Sequence, residues 1–429
     1  MEAIPSEFNY FTEPMKSTIY VRDFYRDVNP IATLQQSAPI EFLIRGSPDL
    51  YIDLNNSKLE VKCKITMPDG TNVTGSPVGP VNLTMHSLFQ SVDMEINGKS
   101  VTDPNQLYSY RAFFETLLTY DESVLGTRAL DQGWERDTPG KVDDCDTAGP
   151  NLGLKNRAVR FADSATETFI GPLHLDLWNQ EKDIPANLDI KIRLIPHASK
   201  WVLLNKLGNG VTQPDYKMVI TNARLLVHIN QLTPEMVLAH QKMLQKTNMR
   251  LDHTRVVMKQ LHIPSGVNSI QFDNVFMGQI PDRITLGLVR DDAVTGSWTL
   301  NPYNFEHYDL NFIVITVNGV AVPAIPLEPN FTTGDYKREY TAMLEALGLD
   351  IGSKMINLKA TEWAKGYTIF VFKLTPGPIG DLVRSTPRSG AARLELKFKN
   401  PTPRNISVIV HAESGGSHSI DKYGNTITV

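Results

Sequence analysis

Only two cysteines, Cys63 and Cys145, stand in 429 residues, so no disulfide framework holds this chain and a reducing compartment is the simpler expectation. No apolar run approaches the roughly 18 residues of a membrane span. Lys and Arg form no basic tail, and 42 of them against 47 Asp and Glu leave a formal net charge of −5. That balance gives no whole-chain attraction to nucleic acid or to an acidic membrane, so no direct sequence-specific nucleic-acid binding is expected. The first residues, Met1-Glu2-Ala3-Ile4-Pro5-Ser6-Glu7, carry neither a basic stretch nor an apolar one behind it. The expectation is a chain made without a secretory signal, in which the Asn-x-Ser/Thr triplets at Asn72, Asn82, Asn330 and Asn405 are incidental.

The usual catalytic patterns are also missing. The ten histidines include no His-x-His and no His-x-x-x-His pair, which argues against a metal held on neighbouring strands. There is no Gly-x-Ser-x-Gly elbow, phosphate loop or dinucleotide fingerprint. Ser414-Gly415-Gly416-Ser417-His418 holds Ser and His, but without strand-turn-helix context it reads as a flexible terminal loop. We therefore assign no catalytic, cofactor-binding or metal-binding residue and expect no enzyme and no cofactor. Trp134, Trp178, Trp201, Trp298 and Trp363 are the candidates for stacking on sugars, with packing as the commoner role.

What is present is strand signal, and it comes twice. Val92-Asp93-Met94-Glu95-Ile96-Asn97-Gly98 leads through a Pro-containing loop to Tyr110-Arg111-Ala112-Phe113-Phe114-Glu115-Thr116-Leu117-Leu118. Phe312-Ile313-Val314-Ile315-Thr316-Val317-Asn318-Gly319 leads likewise to Tyr336-Lys337-Arg338-Glu339-Tyr340-Thr341-Ala342-Met343-Leu344. Each is a strand closed by Asn-Gly, the pair that most readily supplies two positive φ angles, followed by a short helix. In the first helix Tyr110, Phe113, Phe114, Leu117 and Leu118 share one face, as core packing requires. Further matches follow in the same order: Leu188 to Arg193 with Leu394 to Lys399, then Leu225-Leu226-Val227-His228 with Val408-Ile409-Val410-His411. The order indicates an internal duplication whose loops have diverged.

Other strands are expected at 40–44, 51–54, 59–65, 81–89, 169–178, 218–229, 367–374 and 406–412, with a helix opened by Thr233-Pro234-Glu235 and running to about Lys246. Residues 121–168 are polar and rich in turn formers, which reads as an exposed loop system. Residues 1–37, with Phe8, Tyr10, Phe11, Pro14, Tyr20, Phe24 and Tyr25, read as an extended arm packed on its own barrel or on a neighbour. The fold expected is all-β: two tandem eight-stranded jelly-roll sandwiches over 38–232 and 233–429, with a few short helices.

Pro39-Ile40-Glu41-Phe42, Val81-Asn82-Leu83 with His86-Ser87-Leu88-Phe89, the helix from Tyr110 to Leu118, Asn274-Val275-Phe276-Met277-Gly278-Gln279-Ile280-Pro281 and Asn301-Pro302-Tyr303-Asn304-Phe305 stand in an order that resembles the double jelly-roll major capsid proteins of the adintovirus and Maverick/polinton group. The resemblance runs from about residue 39 to about 412. It implies two upright jelly rolls, a homotrimer forming a pseudo-hexagonal capsomer, and an icosahedral shell. It also implies penton and minor capsid proteins as partners and the virion capsid as location. The competing readings are a carbohydrate-binding or adhesive two-domain β-sandwich protein and a degenerate bicupin enzyme.

Overall fold

The computed structural model describes residues 19–47, 49–103, 106–185, 187–206, 214–349, 356–375 and 386–428, with backbone alone at 427 and 428. Phe8, Tyr10, Phe11 and Pro14 of the expected arm lie outside these residues.

In the first half the principal strands are β1 (Tyr20–Val28), β2 (Ile40–Ile44), β3 (Leu50–Thr66), β4 (Phe89–Ile96), β5 (Lys99–Ser100), β6 (Glu167–Gly171), β7 (Ile190–Pro196) and β8 (Lys217–Leu232). They form two antiparallel sheets in the orders β1-β8-β3-β6 and β2-β7-β4-β5. In the second half they are β9 (Met249–Ile263), β10 (Ser269–Ile280), β11 (Arg283–Arg290), β12 (Leu310–Val317), β13 (Val320–Leu327), β14 (Ile369–Lys373), β15 (Arg388–Phe398) and β16 (Ile406–Ile420). Their orders are β9-β16-β11-β14 and β10-β15-β12-β13. Adding eight to each label of the first half reproduces the second. First and last strands lie side by side in each half, the Greek-key crossing of a jelly roll, so the protein is a double jelly roll.

The two hairpins form as the sequence requires. Asn97 and Gly98 have φ of 49° and 76°, and Asn318 and Gly319 have 50° and 83°, a pair of left-handed residues that twists with the flanking strands. The asparagines do more than turn the chain. Asn97 Oδ1 accepts the Asp189 N–H at 2.9 Å, and Asn318 Oδ1 accepts the Ala391 N–H at 3.0 Å. Each thus braces the matching neighbour, at the start of β7 and within β15.

Among the described residues, the helices of eight or more residues are α1 (Tyr108–Thr119), α2 (Leu152–Arg160), α3 (Pro234–Leu244) and α4 (Lys337–Leu347). Helices α1 and α4 occupy the same place in the two halves, between the fifth and sixth strands. Thr233 precedes α3 but its side chain makes no capping hydrogen bond.

Several expectations are corrected. Residues 81–89 are not one strand: Leu83 is left-handed at φ 51° and Thr84–Ser87 is a helical turn. Its hydroxyls bond locally, Thr84 Oγ1 to Val81 O and Ser87 Oγ to Asn82 O, a competition that polar side chains win over strand pairing. The strand expected at 169–178 ends at Gly171. Residues 51–54 and 59–65 belong to one strand, β3, interrupted where Asp53 caps its own bulge through the Asn56 N–H at 3.1 Å. Ser414 to His418 is no flexible loop but part of β16, paired residue for residue with Arg255 to Leu251. Of the expected arm, residues 20–28 lie on the chain's own barrel, one of the two placements expected, as a sheet strand, β1, paired with β8.

Candidate functional site at the junction of the rolls

Helix α1 builds the junction. Its predicted apolar stripe is buried throughout: Tyr110, Phe113, Phe114 and Leu117 are each at most 1% exposed. Second-half residues cover it. The Phe113 ring stacks on Tyr303 at 4.2 Å and 10°, and Phe114 lies 5.1 Å from Phe305. The Tyr303 hydroxyl sits 2.7 Å from Ser87 Oγ and 3.3 Å from Ser109 O. One apolar core runs through both halves, so the rolls are fused by burial of the same kind that holds each together.

Gly287 in β11 shows how close the approach is. A Cβ there would meet the Phe305 ring at 2.5 Å and the tip of Phe114 at 3.2 Å. No side chain fits.

The opposite face of α1 is polar and also enclosed. Arg111 Nε pairs with Glu115 Oε1 at 2.8 Å, one turn on, and Arg111 Nη1 with Asp176 Oδ1 at 2.8 Å. Glu115 Oε2 is 2.6 Å from His174 Nδ1. From the second half His411 lies 3.7 Å from both Glu115 and Glu413, and Arg283 bonds Glu413 at 2.6 Å. Burial alone would raise the Glu115 pKa; the Arg111 guanidinium and the His174 and His411 rings outweigh it and hold the carboxyl well below its usual range. Nearby, His86 Nε2 faces Gln132 Oε1 at 2.8 Å and Nδ1 faces the Tyr108 hydroxyl at 2.9 Å. Burial, with the neighbouring His174, depresses the His86 pKa to about 3.

Residues 121–168, expected to be an exposed loop system, instead supply the strap of the junction. Arg157 is 1% exposed; it bonds Asp137 Oδ1 at 2.7 Å, Pro80 O at 2.8 Å and Glu135 O. Across the junction Asn301 Nδ2 donates to Asp137 Oδ2 at 3.0 Å and the Tyr367 hydroxyl to Asp137 O at 2.8 Å. Asn304 Nδ2 donates to Asp143 Oδ2 at 2.7 Å and to Glu306 Oε1 at 2.8 Å. Arg136 reaches Glu362 at 3.0 Å. The polarity of this segment reflects partners in the other roll, since a buried polar group is stable only when bonded.

The sugar-stacking candidates are not exposed. Trp134, Trp178, Trp201 and Trp363 are at most 3% exposed and Trp298 is half-buried. Trp201 Nε1 instead donates to Val294 O across the junction at 3.1 Å. His228 is held by Asp53 at 3.1 Å, a satisfied strand histidine. Among the described residues no three His, Cys, Asp or Glu side chains are grouped to hold a metal ion, and no helix is long and apolar enough to cross a membrane. Cys63 and Cys145 are both buried free thiols.

No protein-family model matches the chain. An uncharacterized protein of Caenorhabditis elegans is 26% identical, over 93% of this chain and 95% of its own length. Solved structures align along almost the whole chain. A chain of the Sputnik virophage structure has a TM-score of 0.66 at 12% identity, covering 100% of this chain and 92% of that one. PBCV-1 VP54, fitted into a reconstruction of the same virophage, gives 0.61 at 11%, covering 98% and 99%. The mavirus major capsid protein gives 0.59 at 10%, covering 100% and 95%. In fold, then, the chain is a double jelly roll, similar along almost its whole length to these chains, the mavirus major capsid protein among them.

Proposed function

We propose that the chain is the major capsid protein of a virus or integrated element of the adintovirus and Maverick/polinton group, assembling as pseudo-hexagonal homotrimers into an icosahedral shell. The observation that carries this reading is the whole-length structural match to capsid chains, with TM-scores of 0.59 to 0.66 for the Sputnik virophage, PBCV-1 and mavirus proteins. The relative in a nematode suits an element carried in an animal genome.

The geometry supplies a physical reason. Two like barrels locked by a common core present two like outer walls, and three copies about an axis present six. Six nearly equivalent walls tile a hexagonal lattice, and closed rotational symmetry is the ordinary state of homo-oligomers. In this proposal 38–232 and 233–429 correspond to the two rolls, with β1 of the 1–37 arm completing the first. Function lies in lateral contacts between copies and with penton and minor capsid proteins; no chemical step is involved, and the expected location is the virion. Net charge of −5 leaves genome contact to other components.

Negative-stain images of the purified chain test the proposal. Pseudo-hexagonal particles, or shells built of them, are expected; isolated two-lobed monomers at every salt and pH tried would overturn it, and binding to a glycan array by such monomers would favour the adhesive reading.

A further inference from the structure

Helix α3 has less support than its length requires. None of its eleven residues is buried, yet Met236, His240, Met243 and Leu244 fall at i, i+4, i+7 and i+8 and share a face. A helix this short does not persist in water unless a face is packed. Its footing is a small satellite cluster, Tyr51 and Leu232 with Leu50, Met236 and Val237, in which Leu50 also packs against the main core. The Tyr51 hydroxyl adds one hydrogen bond to His240 Nδ1 at 2.8 Å. Beyond this footing lies a groove of about 600 Å3 whose wall includes Ile19, Tyr20, Met236, Met243 and Leu244. Met243 is 61% exposed and Tyr20 56%.

We propose that this groove is the docking site of residues 1–18 of the same chain. The described chain begins at its rim: Ile19 forms part of the wall, and its carbonyl accepts the Thr233 N–H at 2.9 Å. The segment that precedes it carries Ile4, Phe8, Tyr10, Phe11 and Met15, large side chains of the kind that an apolar groove of this size accepts. Eighteen residues extend up to roughly 60 Å, more than enough to turn back along α3. A segment tethered at the rim acts at an effective concentration of the order of millimolar, which favours a chain's own segment over that of a free copy. The occupied groove would give α3 the packed face that it lacks. The inference concerns contacts inside one chain and stands apart from the capsid reading.

The test uses the full chain with Met243→Cys, labelled by a benzophenone maleimide. Cys63 and Cys145 are buried, and burial pushes the Cys145 thiol up to about 12, so the label goes to position 243. Illumination of a dilute sample is expected to yield a link between position 243 and residues 1–18 at monomer mobility on a denaturing gel. Phe8→Ser, Tyr10→Ser and Phe11→Ser together should abolish that link. Links to a second copy, or only to other parts of the chain, would overturn the proposal. Hydrogen exchange checks it without a label: amides 236–247 should exchange faster in the unlabelled triple-serine chain than in the native chain, and equal rates would contradict the docking.

Discussion

Tyr303 is the side chain through which the junction is best interrogated, because its ring and its hydroxyl do separable work. It is 1% exposed. Ser87 Oγ already donates to Asn82 O at 2.8 Å, so at 2.7 Å it accepts the Tyr303 proton. Tyr303→Phe removes the hydroxyl, with its short bond to Ser87 Oγ and its longer one to Ser109 O, and leaves the stack on Phe113, for an expected loss of about 1 kcal/mol. Tyr303→Ala also empties the space between Phe113, Tyr110 and Trp201, whose rings lie 4.2, 5.8 and 5.7 Å from it. Aromatic truncation in a packed core costs about 3–5 kcal/mol. Equilibrium urea unfolding, followed by tryptophan fluorescence and far-ultraviolet circular dichroism, measures both. The two signals should shift together, since one core serves both rolls. If Tyr303→Ala lay within about 1 kcal/mol of Tyr303→Phe, or if one half melted and left the other intact, the fused core would be the wrong description.

Arg157→Met strands Asp137, which is 2% exposed, and should destabilise by about 3–5 kcal/mol in the same assay; a loss below about 1 kcal/mol would mean that the strap is peripheral. His86 makes stability fall on acidification. The unfolded ring takes a proton near pH 6.5 and the folded one only near 3, so its contribution is full above 6.5 and lost as pH falls toward 3, by about 1.4 kcal/mol per pH unit. His86→Phe should flatten the stability profile between pH 6 and 4 by about one proton, and an unchanged slope would refute the assignment. Deleting residues 1–37 removes β1 and bares the edge of β8, so aggregation is expected, whereas deleting 1–18 should leave soluble protein; sedimentation of both distinguishes them.

Much of the fold was legible because alternation and turn chemistry are local. Ile40 to Ile44, Ile190 to Leu194 and Leu394 to Phe398 alternate as half-buried strands must, and Asn97-Gly98 and Asn318-Gly319 dictate their turns without reference to the rest of the chain. The junction was legible only on one side. The spacing of Tyr110, Phe113 and Phe114 announced a buried face, but nothing local says that Tyr303 and Phe305 cover it.

The polar strap misled for the same reason. Asp137 is satisfied by Arg157 and Asn301, and Asp143 by Asn304, over separations of 20 to 164 residues that a sequence window does not span, so the polarity of residues 121–168 reads locally as exposure. Ser414 to His418 misled because glycine marks both loops and tight strands. Here a Cβ at Gly416 would meet the His253 and Arg255 side chains at 3.1 Å, so glycine lets β9 and β16 pair closely. The hairpin order that betrayed the duplication survives because the two barrels need the same turns, while the loops between them diverged to make one roll grip the other.

The measurement closest to the central claim is the solution mass of the purified chain by multi-angle light scattering. A species near three times 48.0 kDa, stable to dilution, is the predicted result; a chain that remains at 48.0 kDa across concentration, salt and pH would contradict the proposed capsomer.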